Sequence, residues 1–435
     1  MPAFTIIWFG QLVSLLGTGM TRFALTIWAW QITGQATALA LVAFFSFGPT
    51  VLMSPIAGAL VDRWNRKFVM MLSDLSAGLS TVAVLLLYAT GNLQIWHLYV
   101  AGAFAGVFES FQWPAYSAAI TTMLPKEQYG RANGMMSLLE SVSAIGTPIL
   151  AGMLIGLIGI GGVMTIDILT FVFAVAALAL VHIPQPARMA AGQKVRGSLR
   201  RESVYGFRYI LKRPSLLGLQ LIFLSINLLF PFFYTILNPM ILACTGENAE
   251  VLGTVLSISG IGGVLGGLVM SAWGGPKRRV HGVLGGIVLT SLLGQVLMGL
   301  GRALPVWAVA GFFSGLFIPI ANGSSQAIWQ AKVAPGVQGR VFAVRRLIAQ
   351  IAGPLGILIA GPLADKLFEP AMQPGGALVG VFGGLVGSGP GSGMALMMML
   401  AGSLGAVVSL SGYLIPTIRD AETILPDHDA VAMEA

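Results

Sequence analysis

The chain has little charge and almost no cysteine. Asp, Glu, Lys and Arg make up 9% of its 435 residues and hydrophobic types 56%, whereas about a quarter of an ordinary soluble domain is charged. A single cysteine, Cys244, excludes an internal disulfide. Four scattered histidines (His97, His182, His281, His428) form no zinc pattern, so no metal or cofactor is expected. There is no Ser-His-Asp grouping, and no polar segment is longer than residues 184–214. An enzyme, or a receptor with a sizeable soluble domain, is therefore not expected. The first apolar run lacks a basic leader and is too long for a signal-peptide core, so it reads as a retained span.

What is present is apolar length. Runs of at least 18 residues lie near 5–31, 36–60, 68–89, 95–121, 132–158, 163–183, 214–243, 249–273, 282–301, 305–330, 341–366 and 393–418. They are continuous rather than alternating, which argues for helices and against an outer-membrane barrel. The expected fold is an all-α polytopic membrane protein of twelve transmembrane helices.

Between the second and third runs stands a short charged turn, Gly58-Ala-Leu-Val-Asp-Arg-Trp-Asn-Arg-Lys67. Its cations place it on the cytoplasmic side, and Asn65 suits a left-handed turn residue. With that choice, all 24 cations except Arg22, Arg302 and Lys366 fall on the same side. That count includes Arg345 and Arg346. Both termini are then cytoplasmic, in an inner or plasma membrane, and the +8 net charge belongs to membrane topology rather than to nucleic acid.

The halves repeat at one offset of 209 residues. Gly58 pairs with Gly267, Gly130-Arg131 with Gly339-Arg340, and Ala151-Gly152 with Ala360-Gly361. Two pseudo-symmetric six-helix bundles follow, 1–183 and 214–418, joined by a linker 184–213 and ending in a tail 419–435. The latter part of the linker, 198–213, sets Leu199, Phe207, Ile210 and Leu211 among cations and reads as an amphipathic helix on the anionic inner leaflet. The acidic tail after Arg419 reads as disordered. For the Gly- and Pro-rich loop 368–393 two readings stay open, a re-entrant segment and a flexible external cover. The glycine run 260–267 lies inside a span and is read as close helix packing.

Charges inside spans cost about 2.5 to 3.5 kcal/mol each at the bilayer centre, so each needs a reason. They are Arg22, Asp74, Glu109, Glu140 and Asp167, all in the first half. The offset partners of the first four are Pro231, Val283, Ile318 and Ala349, so the second half is apolar where the first can ionise. At 1.5 Å per residue, Arg22 lies about 26 Å deep, Glu109 about 20 Å and Glu140 about 14 Å. Arg22 and Glu109 are thus within side-chain reach. Glu109 is the first candidate for exchanging a proton, with Arg22 modulating it, against the alternative of a static pair; Glu140 is the second. Asp74 and Asp167 are read as capping or interfacial pairing. For substrate, the fourth span offers Gln112, Trp113 and Tyr116, the seventh Asn227 and Phe230, and the tenth Asn322 and Gln326. Aromatic walls with sparse polar groups suit amphipathic molecules better than sugars.

Gly58, Asp62, Arg63, Arg66 and Lys67 resemble the loop signature of the major facilitator superfamily, with Asn65 where the family commonly has glycine. Three further stretches carry the likeness to the branch of macrolide-efflux proteins and the enterobactin exporter. They are Trp8-Phe-Gly-Gln-Leu-Val-Ser-Leu-Leu16, Leu124-Pro-Lys-Glu-Gln-Tyr-Gly-Arg-Ala-Asn-Gly134 and Gln338-Gly-Arg-Val-Phe342. The group Gly146-Thr-Pro148 with Gly152 partly resembles the antiporter motif. The resemblance implies a monomeric secondary transporter of alternating access, surrounded by membrane lipid and exporting a drug-like or siderophore-like molecule against protons. A lipid or lysolipid cargo is the other reading. It also implies that the first and fourth helices line the cavity. Gly58, Asp62, Arg63, Arg66, Lys67, Arg131 and Arg340 would then form a conformational latch, Asp62 meeting the start of the eleventh helix. Ser271, at the repeat position of Asp62, lacks the acid.

Overall fold

The computed structural model describes residues 2–61, 64–124, 128–184, 206–333 and 335–426. Among these, every regular element is helical. The long helices are α1 (Pro2–Thr33), α2 (Ala36–Val61), α3 (Arg66–Ala89) and α4 (Ile95–Met123). One continuous stretch, Tyr129–Leu180, follows and is broken at Gly159, where φ is 69° and ψ 177°. We call its parts α5 (129–158) and α6 (160–180). Only glycine takes that conformation without strain, and the break falls between the fifth and sixth apolar runs. The remainder are α7 (Pro214–Thr245), α8 (Ala249–Trp273), α9 (Arg279–Leu300, through a π turn), α10 (Leu304–Lys332), α11 (Pro335–Leu363, running on to Met372) and α12 (Ser392–Leu414).

Ten helical stretches among the described residues are long and apolar enough to cross a membrane, Leu138–Leu180 being one of them. Large apolar side chains stand outward along them, with Leu52 77%, Leu157 78% and Leu180 86% exposed. Such faces are stable where the surroundings are lipid, and continuous helices are one of the two structures that satisfy their own backbone there. The chain is a multi-pass membrane protein.

Two compact units divide it: Met1–Gln193 with Ile241–Ser257, and Lys194–Met240 with Ile258–Ala435. In the first, α1 approaches α6 through Gly10 and Gly17. A Cβ on Gly17 would stand 2.2 Å from Thr170 Oγ1 and 3.0 Å from Asp167 Oδ1. Where lipid removes any hydrophobic drive between helices, such close backbone approach supplies the packing. Phe4, Ile7, Met70, Phe111, Tyr116 and Leu178 fill the core at one end. In the second unit, Gly262, Gly266 and Gly315 bring α8 against α10, in accord with the reading of the glycine run as close packing.

Several expectations change. Asn65 is extended (φ −64°, ψ 116°) rather than left-handed; it caps α3, its side chain accepting from the Phe68 N–H at 3.2 Å. Capping satisfies an orphan donor of the helix start, which outweighs the turn preference of Asn. The described part of the tail is structured: residues Pro416–Arg419 and Ala421–Ile424 are helical turns, and Ala421 is fully buried. Lys332 donates to the carbonyls of Glu422 and Leu425, while Glu422 Oε2 accepts from Val280 N at 2.9 Å and Asp420 pairs with Arg278 at 2.7 Å. The segment 420–425 is therefore tied down by the Lys332 and Arg278 side chains and by the backbone N–H of Val280 at the start of α9. The loop 368–393 contains a helix, Val379–Val386, whose carbonyls at Gly383 and Gly384 accept from Arg302. Glu369 accepts from Gly391 N and Met394 N at the start of α12. That loop is tied at both sides rather than free. Of the linker, residues 206–211 are helical, and Ile210 is buried against Leu216, Trp329, Val333 and Val341. Its apolar face thus packs partly on protein, while Phe207 and Leu211 stay exposed. Residues 185–205 of the linker lie outside the described residues.

Candidate functional site

A polar cleft lies inside the first unit. α1 presents a stripe at helical spacing, Gln11, Ser14, Thr18 and Arg22; α3 presents Ser73 and Asp74, and α4 presents Glu109 and Gln112. These residues, with Leu15, Gly19, Ala77, Gly78, Ala105 and Phe171, line a cavity of about 150 Å³. Ser73 is spent on structure, its hydroxyl donating to Phe108 O on α4 at 2.9 Å.

Arg22 and Glu109 meet. Nη2 stands 2.5 Å from Oε2, and the side chains are 56% and 45% exposed. Both residues line the cleft, so the pair sits among polar groups in an otherwise apolar bundle. Pairs so exposed contribute about 1 kcal/mol or less to stability, which separates this one from a buried packing pair.

One turn deeper in the bundle interior, Asp74 is 8% exposed. Its Oδ2 accepts from Gln11 Nε2 at 2.8 Å and its Oδ1 from Gln112 Nε2 at 2.9 Å, while the same Gln112 nitrogen donates to Gln11 Oε1 at 2.9 Å. Three helices are joined by three hydrogen bonds. Asp74 is thus neither a cap nor an interfacial partner: it stands more than two turns into α3 and faces the cleft. Asp167 on α6, 2% exposed, accepts from Thr18 and Thr81 hydroxyls at 3.1 and 2.9 Å. It too pairs inside the bundle. A charge kept this deep needs hydrogen bonds, and neighbouring polar side chains provide them.

The other candidate residues are dispersed. Gln112 belongs to the Asp74 network. Tyr116 is 4% exposed and packs 6.1 Å from Phe4 in the core. Glu140 is exposed, without a hydrogen bond or ion pair among the described residues. In the second unit, Asn227 donates to Phe223 O of its own helix at 2.7 Å, Phe230 lies 6.5 Å from Tyr234, and Asn322 is exposed. Gln326 accepts from Arg345 Nη1 at 2.7 Å, and Ser325 from Arg345 Nη2 at 2.9 Å, with the guanidinium over Trp329. Arg345 therefore belongs to the body of α11 rather than to a loop. With it, the second unit holds a charge inside a helix at a position outside the four offset partners Pro231, Val283, Ile318 and Ala349, which are apolar.

Of the latch set, Lys67 donates to the carbonyls of Ala179 and Val181 at 2.7 and 2.8 Å, closing the C-terminal end of α6. Arg66 opens α3. Asp62 and Arg63 lie outside the described residues, as do the side chains of Trp113, Arg131 and Arg340 and the surroundings of Gly58.

The first-half network was partly readable. The stripe Gln11, Ser14, Thr18, Arg22 is a polar line every three or four residues along an apolar helix. Gln112 is legible as a polar residue of the fourth span, but nothing local marks Gln11, Ser14 and Thr18 as its neighbours.

The family model of the Major Facilitator Superfamily matches residues 7–357. Macrolide efflux protein A of Streptococcus pyogenes is 27% identical over 375 residues, covering 84% of this chain and 90% of that protein. The multidrug efflux pump Tap of Mycolicibacterium fortuitum is 31% identical over 375 residues, covering 83% and 88%. Among solved structures, a bacterial homologue of the human lysosomal transporter Spinster, in its inward-facing and occupied conformation, aligns with a TM-score of 0.69 at 16% identity over 95% of this chain and 97% of that one. A POT family transporter in complex with 5-aminolevulinic acid aligns with 0.67 at 11% identity over 96% of each. With an all-helical membrane fold, no enzymatic relative among these matches, and a family match across most of its length, the chain belongs to the Major Facilitator Superfamily of transporters.

Proposed function

We propose that this transporter exports amphipathic small molecules across the cell's inner or plasma membrane, driven by inward proton movement. The observation that carries the reading is the ion pair of Arg22 and Glu109 lining a polar cleft on helices that are otherwise apolar. A carboxylate beside a guanidinium changes its hold on a proton when the distance between them changes, and a transporter that alternates between two states changes such distances. Glu109 is the coupling group and Arg22 its modulator, with Glu140 a second, exposed carboxylate. The efflux activity named for the two sequence relatives supports the direction of transport. The aromatic residues of the fourth, seventh and tenth spans, Trp113, Tyr116 and Phe230 with the polar Gln112, Asn227, Asn322 and Gln326, suit a cargo that is largely apolar. Gly58, Asp62, Arg63, Arg66, Lys67, Arg131 and Arg340 serve as the latch between states, with both chain ends cytoplasmic and the protein working as a monomer in lipid.

The test is reconstitution in liposomes with an imposed pH gradient and a fluorescent amphiphile such as rhodamine 6G, alongside a labelled macrolide. Uphill movement of either probe, abolished by Glu109→Gln and by collapsing the gradient, is expected. Gradient-driven accumulation by Glu109→Gln at the wild-type rate would remove Glu109 from the coupling role.

A further inference from the structure

We infer that Asp74 is a second proton-binding site, and that binding a proton there turns the Gln112 side chain and releases α4 from α1. The inference deepens the proposed coupling at Glu109 and rests on that reading only for its use in transport; the proton site itself stands on the geometry around Asp74.

Three carboxylates of the first unit, Asp74, Glu109 and Asp167, are held among helices, and the one cation paired with any of them among the described residues is Arg22, which is engaged with Glu109. Among the described residues, Asp74 is held by two amides, those of Gln11 and Gln112. From α1 it faces Gln11, with Arg22 further along the same cleft; from α4 it faces Gln112, with Glu109 one turn away; α6 carries Asp167 and places Phe171 on the cleft wall.

The donor and acceptor pattern distinguishes Asp74 from Asp167. The hydrogen-bond partners of Asp167, Thr18 and Thr81 with Thr21 beside them, are hydroxyls, which donate or accept by rotating, so Asp167 can take up a proton without moving a helix. The partners of Asp74 are amide N–H groups, which can only donate. The network as it stands needs an ionised, acceptor-only Asp74: Gln112 Nε2 donates at once to Asp74 Oδ1 and to Gln11 Oε1. The other end of the same amide, Gln112 Oε1, is buried and has no partner among the described residues. A buried acceptor left unmet is costly. When a proton passes from hydronium in the cleft water to Asp74 Oδ1, leaving water behind, the new O–H needs an acceptor. Gln112 Oε1 supplies it once the amide turns over. That turn removes the Nε2 donor from Gln11 Oε1, and the α1 to α4 bond is lost. One proton is thereby converted into a change of helix contact.

The experiment uses the full chain in liposomes and needs no known substrate. Infrared difference spectra between high and low pH should contain a protonated-carboxyl C=O band that Asp74→Asn loses and Glu109→Gln keeps. Hydrogen exchange of the segments around Gln11 and Gln112 should rise on acidification in the wild type. In Gln112→Leu, which has no amide to turn, that pH response should disappear while the carboxyl band stays. Identical bands in Asp74→Asn and wild type would overturn the site; a pH response of exchange unchanged in Gln112→Leu would overturn the turning amide. Loss of the Asp74 band together with intact gradient-driven transport in Glu109→Gln would leave this site standing and remove the Glu109 reading.

Discussion

Arg22 on α1 and Glu109 on α4 are 87 residues apart in sequence, yet Nη2 and Oε2 lie 2.5 Å from one another, with both side chains about half accessible. An exposed pair is a weak clamp and a strong sensor. A double-mutant cycle on thermal stability in detergent, with Arg22→Ala and Glu109→Gln, should give a coupling of about 1 kcal/mol or less. The same single variants should lower gradient-driven transport by tenfold or more. A coupling above about 2 kcal/mol, with transport little changed, would mark the pair as a packing element instead.

Lys67 closes α6 by donating to Ala179 O and Val181 O. Lys67→Met leaves both carbonyls without that cation and should cost about 1 to 3 kcal/mol, with hydrogen exchange rising at 179–183. Lys67→Arg should recover most of the protection. Unchanged exchange in Lys67→Met would free this residue for a purely conformational role.

Neighbouring glycines on α8 give opposite expectations. A Cβ on Gly266 would stand 2.1 Å from Leu316 O, and on Gly315 2.0 Å from Ser259 O, whereas Gly267 has nothing within 4 Å. Backbone cannot yield as a side-chain end can. Gly266→Ala and Gly315→Ala should destabilise by about 1 to 3 kcal/mol, seen as a lower melting temperature, while Gly267→Ala should leave it unchanged. Equal effects at 266 and 267 would contradict the close approach of α8 to α10.

The tail is clasped at Asp420. Its carboxyl is held below the usual aspartate range, first by hydrogen bonds from Arg419 and then from Arg278. A depressed acid contributes above its unfolded value, near 4, and that contribution is lost as pH falls through the lower folded value. Hydrogen exchange of 418–425 should therefore be flat from pH 5 to 8 after correction for intrinsic rates, and should rise below about pH 4. Asp420→Asn should show the raised exchange at every pH. A transition near neutrality would point to some other group.

Much of the architecture could be read ahead of the structure because it is written in local pattern. Apolar length marked the helices, and the ends of the fifth and sixth runs, 158 and 163, bracket the break at Gly159. The pairing of Arg22 with Glu109 followed from depth along two helices, a one-dimensional quantity. Asp74 was misjudged because its partners, Gln11 and Gln112, are neutral residues on other helices, and no local pattern says which faces turn toward each other. Arg345 and the tail were misjudged for a related reason. A cation near a helix end counts as loop charge until Gln326 and Ser325 are seen to accept from it, and an acidic tail reads as free until Arg278 and Lys332 are seen to hold it.

By itself the sequence determined that this chain lives in a membrane as a series of apolar helices, since the energy of placing apolar and charged groups in lipid depends on composition and length alone. Only the tertiary structure decided which polar groups share the first-unit cleft and which are spent holding helix ends. Hydrogen bonds depend on distance and direction between groups far apart in the chain, and those are fixed by how the helices pack.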